Sequence, residues 1–192
     1  MWSVVAGIAC ECNYSLTMRT YEWGPIGDVG QLTPGTLFYV FLDGATHLAM
    51  KVEVAGDHEE LSYYCAVLSP QWGGKNAPPC LIHEKTFASL PLLALPNAVL
   101  IPYKPWPNEN LPTAGQLVKT TEGLVLTATD VRGMGYTSFL VDTGEVLKSR
   151  PMGGFVCFQN WKITVPSPLH SGGWDVILEW PPREGDNGVG GT

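Results

Sequence analysis

Charge is scarce in this 192-residue chain, where Asp, Glu, Lys and Arg make up 15% of the residues against about a quarter in ordinary soluble domains. Hydrophobic residues reach 45%, so apolar surface is expected to be covered by a partner or by further copies of the chain. Basic runs are missing as well. With 11 basic and 18 acidic side chains the formal net charge is −7, and that field repels a phosphate backbone wherever no local cluster of Lys and Arg offsets it. Nucleic acid is excluded as an expected ligand. No basic residue precedes the apolar start "MWSVVAGIACEC", which turns polar within a few residues. It reads as a strand, neither a signal peptide nor a membrane span, and the expectation is a cytoplasmic protein or one carried on a virion or similar particle.

Uninterrupted stretches long enough for helices are also lacking, because 22 glycines and 16 prolines punctuate the chain. The motifs by which many enzymes announce themselves do not occur. There is no Gly-x-Ser-x-Gly elbow, no phosphate loop ending in Gly-Lys-Ser/Thr and no dinucleotide glycine fingerprint. "HEELS" at 58 and "HEKTF" at 83 each lack the second histidine of a zinc protease helix. The carboxylates Glu59, Glu60, Glu84, Asp142 and Glu145 read as solvated strand ends. No catalytic residue and no cofactor is expected.

The cysteines raise the sharpest chemical question. In "GIACECNYS" Cys10 and Cys12 alternate on one strand face, and Cys80 and His83 lie three apart in "PPCLIHEK". Together the four would make a three-thiolate, one-imidazole zinc set. The spacing is unspecific, and free cysteine is among the most buried residue types, so packing is the expected role and no metal is assigned. Five cysteines cannot all pair within one chain, which fits a reducing compartment.

What the chain does have is short runs rich in β-branched and aromatic residues, and these predict an all-β fold. After residue 30 come "FYVFL" (38–42), "HLAMKVEV" (47–54), "LSYYCAVLS" (61–69), "CLIHEKTFA" (80–88) and "AVLIPY" (98–103), with an Asp43-Gly44 turn after the first. The third run also has helical spacing from Asp57, but Tyr-Tyr-Cys-Ala-Val and its strand neighbours favour pleated structure. Five further runs follow in the same order: "QLVKT" (116–120), "LVLTATD" (124–130), "YTSFLVD" (136–142), "FVCFQNWKI" (155–163) and "WDVILEW" (174–180). Gly35 and Gly115, like Leu37 and Leu117, are 80 apart. Met50 to Leu124 and Val67 to Val141 are 74 apart, Leu81 to Val156 is 75, and Val99 to Val176 is 77. Near-constant offsets of this kind are what an internal duplication leaves.

The expected architecture is therefore two tandem small five-stranded barrels, of Src-homology-3-like or oligonucleotide-binding-fold size, at 30–109 and 110–183. An N-terminal strand extension at 1–29 and a glycine-rich tail at 184–192 flank them. Each half ends in an aromatic and proline cluster, "YKPWP" and "EWPPRE". These make Tyr103, Trp106, Trp174 and Trp180 the candidate ligand- or partner-binding residues, since rigid aromatic side chains supply contact area at low entropic cost. The alternative for the same side chains is a lid packed back on the barrel ends. Three functions follow: a non-enzymatic interaction or assembly subunit that pairs with itself or a larger particle, a carbohydrate-binding module using the four aromatics, or an enzyme of unannounced type. The first is preferred, with a protein partner, no membrane and a homo-oligomeric state expected.

Overall fold

The computed structural model describes residues 26–42, 44–55, 61–69, 77–106, 111–130, 135–153 and 155–182. Cys10, Cys12, most of the 1–29 extension and the 184–192 tail lie outside them. The described chain is all-β, as the runs predicted, and curls into a half-barrel. Its strands are β1 (Ile26–Gly27), β2 (Leu37–Leu42), β3 (Ala45–Ala55), β4 (Leu61–Val67), β5 (Cys80–His83), β6 (Leu92–Ala94), β7 (Val99–Trp106), β8 (Leu117–Lys119), β9 (Leu124–Thr129), β10 (Tyr136–Leu140), β11 (Val156–Pro166) and β12 (Trp174–Trp180). Single 3-10 turns at Val29–Gln31 and Glu84–Thr86 are the only helical elements among the described residues, and no described helix is long and apolar enough to cross a membrane.

All twelve strands belong to one sheet, ordered β1-β6-β2-β3-β4-β5-β9-β8-β11-β12, with β10 also on β9 and β7 also on β11. The two halves of the sequence fold alike within it. In the first, Leu37 pairs with Met50, Met50 with Ala66, and Phe38 with Ala94. In the second, Leu117 pairs with Leu126, Leu126 with Phe139, and Val118 with Cys157. The entry turns match bond for bond. Gly35 N donates to Lys51 O at 2.8 Å and Thr36 N to Thr33 O at 3.1 Å; Gly115 N donates to Thr127 O at 2.8 Å and Gln116 N to Thr113 O at 3.1 Å. Both glycines are left-handed, with φ of 83° and 85°, a conformation that disfavours any side chain.

This pairing corrects the alignment by offsets. Met50 corresponds to Leu126, two residues beyond Leu124, and Ala66 corresponds to Phe139, so Val67 matches Leu140 and not Val141. The strand that returns to the first one is β6, in the place taken by the start of β11, so Leu81 and Val156 are not equivalent.

Strand alternation places Leu37, Met50, Val52 and Ala66 in one core cluster, and their counterparts Leu117, Leu126, Ala128 and Phe139 lie in that same cluster. The opposite faces carry separate clusters: Phe38, Ala49 and Val67 in the first half, and Val118 and Val125, with Leu140 against them, in the second. The halves therefore meet face to face over a shared interior. They also exchange backbone bonds. Glu53 N donates to Gly144 O at 2.8 Å, and its register counterpart Thr129 donates its N–H to Pro79 O at 2.8 Å. Finally, β7 from the first half pairs along β11 of the second, which joins what the sequence suggested as tandem units into one continuous sheet.

Candidate functional site

β11 is the longest strand of the second half and lies between β7 on one edge and, on the other, β8 followed by β12. Its inward residues Trp161 and Ile163 are fully buried in the shared core. Cross-strand partners share a face, so the partners of Asn160, Lys162, Thr164 and Pro166 face outward. These are Tyr103 opposite Asn160, Ile101 and Glu179 flanking Lys162, Val99 and Val176 flanking Thr164, and Trp174 opposite Pro166. Trp106 pairs with Cys157, which packs with Val118 and Val125 on the side away from the shared core. Tyr103 and Trp106 reach the same face although three residues apart, because Lys104 between them is left-handed at φ 55° and resets the alternation.

Three of the four aromatics singled out in the sequence thus lie along one outer face. Trp106 is 49% exposed, Trp174 53%, Val176 51% and Val99 43%, while Thr164 between the valines is buried. The middle is polar: Tyr103 Oη donates to Glu179 Oε1 across β11, beside Lys162. From Cys157 to Pro166 is nine residues, so the stripe is about 30 Å long at roughly 3.3 Å per residue.

Trp180 is not on this face. It stacks on Trp161 with ring centroids 6.0 Å apart and an interplanar angle of 21°, and only 9% of it is exposed. Trp161 Nε1 donates to Gly115 O at 2.8 Å, and a Cβ on Gly115 would sit 2.6 Å from the Trp180 ring. Of the two readings for the C-terminal cluster, the packed lid describes Trp180 and the exposed platform describes Trp174. Trp180 follows the inward register of β12 and Trp174 the outward one, across a register shift in the β11–β12 pairing after Ile163. The run "WDVILEW" gives no sign of that shift.

Cys80 and His83 do not converge. Cys80 packs with Ile82 against the outer cluster of the first half, whereas His83 lies on the other face of β5 with its ring 5.2 Å from that of Tyr64. Burial pushes the Cys80 thiol up to about 11. Cys65 is raised to about 12 by burial first and by Glu84 second, with Lys51 opposing. Thiols so disposed stay protonated and unreactive near neutrality. Among the described residues no group of three His, Cys, Asp or Glu side chains is placed to hold a metal.

One polar group was missed by sequence reasoning. Lys51 is buried, donates from Nζ to Val29 O at 3.0 Å and Gly30 O at 3.3 Å, pairs with Glu84 Oε2 at 3.3 Å and lies 4.6 Å from the centre of the Tyr63 ring. Its signal was the lone cation in "HLAMKVEV", on the face of His47 and Ala49 opposite Leu48, Met50 and Val52. Two backbone carbonyls accept from the ammonium and the Glu84 carboxylate balances its charge, so the geometry is that of a pin holding the 29–31 and 84–86 turns to β3, not of a nucleophile.

The face between Trp106 and Trp174 is accordingly the strongest candidate for function among the described residues. A comparison with known proteins returns no matching family model, no matching curated sequence and no matching solved structure.

Proposed function

We propose that the chain is a non-enzymatic interaction and assembly protein that docks a protein partner on the outer face of β7, β11 and β12. The observation that carries this is the alignment of four half-exposed apolar side chains, Trp106, Val99, Val176 and Trp174, on a single sheet face. Aromatic and β-branched side chains held rigidly on strands lose little entropy on binding and supply the anchors that dominate protein interfaces. In this reading the matching turns at Gly35 and Gly115 descend from a duplication of one five-stranded, barrel-sized unit, the second copy of which carries the docking strands β11 and β12.

The test is a photo-reactive phenylalanine analogue at position 174 of the full chain, expressed in its native cell, with the same analogue at Phe41, exposed elsewhere at the tip of the β2–β3 hairpin, as control. Discrete protein adducts at 174 and none at 41 are expected. Equal or absent adducts at both positions reject the reading.

The polar middle formed by Tyr103, Glu179 and Lys162 favours one second reading, an extended glycan laid along the stripe. Tyr103 and Trp174 are separated by the six residues from Asn160 to Pro166, about 20 Å, so no single sugar ring touches both. Quenching of tryptophan emission by oligosaccharides and not by monosaccharides would mark this case.

A further inference from the structure

We infer that the partner docks on this face through a single amphipathic α-helix of about 20 residues, laid along β11 between Trp106 and Trp174; the inference rests on the interaction reading above.

Size is the first argument. The face is about 30 Å long between its two tryptophans, and three strands spaced by about 4.8 Å make it about 14 Å wide. The resulting area of about 420 Å² is half of the ~800 Å² that each partner buries in a stable contact between globular surfaces. A second broad surface is therefore a poor match. A helix of about 20 residues is about 30 Å long and about 10–12 Å across with its side chains, which are the dimensions of the stripe.

Backbone chemistry separates a helix from an extended segment. The main-chain groups of β11 are directed to β7, β8 and β12 in the plane of the sheet, so the outer face offers side chains alone. An extended segment laid over Val99, Thr164 and Val176 would bury its own N–H and C=O groups against apolar side chains with nothing to bond them. A helix avoids that cost because its peptide groups bond one another. Extended segments belong instead at sheet edges, where main-chain partners are available. Helix on sheet is also a standard pairing of layers, and the described residues supply no helix beyond two 3-10 turns.

The face sets the pattern of that helix. Trp106 stands at one end and Val99, Val176 and Trp174 at the other, all about half exposed, while Tyr103, Glu179 and Lys162 fill the stretch between. The helix needs apolar anchors at i, i+3, i+4 and i+7 spacing over both ends. Midway it needs a hydrogen-bonding side chain, because an apolar one there would strip water from the Glu179 carboxylate and the Lys162 ammonium without replacing it.

The probe is a random library of peptides about 20 residues long, displayed on phage, selected on the full wild-type chain and counter-selected on Val176→Lys, a variant checked for an unchanged thermal midpoint. Enriched sequences are expected to repeat apolar residues with the 3.6-residue helical period. As synthetic peptides they are expected to bind in the micromolar range and to gain helical circular dichroism on binding. Val176→Lys is expected to weaken them by about tenfold or more. A proline in the middle of such a peptide is expected to weaken binding to the wild-type chain by about tenfold or more, a readout that needs no variant of the protein. Enrichment of period-two or proline-rich sequences, binding with no gain of helix, tolerance of the mid-peptide proline, equal affinity for Val176→Lys, or no enrichment at all overturns the inference. The adducts at position 174 separate this failure from that of the interaction reading: discrete protein adducts beside any of these results leave the docking face standing with a partner that is not a helix, and no protein adduct removes the docking face itself.

Discussion

Lys51 and its register counterpart Thr127 show two answers to one problem, a polar side chain turned toward a dry outer face. Thr127 is buried and its hydroxyl lies 3.0 Å from that of Ser138, a neutral pair that satisfies itself. Lys51 faces Cys65 across the same pair of strands and needs Glu84 and two carbonyls from outside the sheet. Removing one member of a buried ion pair typically costs about 3–5 kcal/mol because the other charge is left uncompensated, although Glu84, being partly exposed at 21%, retains some hydration. Lys51→Met is therefore expected to cost about 2–4 kcal/mol in urea unfolding, and adding Glu84→Gln to recover part of it. Additive losses in the double variant would show that the pin does not act through the pair. The thiols beside it make a second prediction. Folding raises Cys65 from 9.0 to about 12 and Cys80 from 9.0 to about 11. Above pH 9.0 the unfolded chain gives up these protons while the folded chain keeps them, so the stability the thiols contribute is intact below that pH and is lost as pH rises toward the folded values. Urea midpoints measured at neutral pH and at pH 10.5 or so are expected to fall, and to fall less in Cys65→Ala/Cys80→Ala. At this scale the sequence was only half readable: "HLAMKVEV" shows Lys51 on the wrong face, but nothing local names Glu84 as its partner, thirty-three residues on.

Elements were far more legible than residues, and the reason is punctuation. Runs of β-branched and aromatic residues bounded by Gly and Pro located all the longer strands, and the strand reading of 61–69 over the helical one holds for β4 (Leu61–Val67). β6 escaped because it has only three residues between Pro91 and Pro96, too few to show alternation. The run "CLIHEKTFA" was read too long: the chain leaves β5 at His83 and turns at Glu84–Thr86, where Glu84 meets Lys51. β7 is the element under most strain. It keeps seven of its eight residues in register with β11 despite two prolines, at the cost of a left-handed Lys104, and a residue with a Cβ loses about 1–2 kcal/mol there. Glycine removes that cost but adds freedom to the unfolded chain, so Lys104→Gly is expected to stabilise the protein by a net ~0.5–1 kcal/mol. A loss of stability would mean that the Lys104 side chain contributes contacts outweighing the strain of its backbone.

At the scale of the whole molecule, strand order along the chain could be read, but which half each strand would pair with could not, because the bonds between β7 and β11, or Glu53 and Gly144, join residues dozens of positions apart. The offsets kept the halves in the right order and still slipped by one residue at Val67, enough to turn a side chain to the opposite face. Face-to-face halves and tandem independent barrels differ in a measurable way. If each half had its own interior, heat or urea would unfold them separately, and a cavity in one would leave the transition of the other unmoved. Met50 and Leu126 occupy corresponding sites within a single cluster, both fully buried, so both halves lose their contacts together. Met50→Ala and Leu126→Ala are each expected to cost about 2–5 kcal/mol and to shift one common transition. That transition should coincide when followed by far-ultraviolet circular dichroism, which reports every strand, and by tryptophan emission, in which Trp161 and Trp180 report the second half of the chain. A biphasic curve, or a Met50→Ala variant whose tryptophan signal unfolds at the wild-type midpoint, would show that the shared interior does not couple the halves.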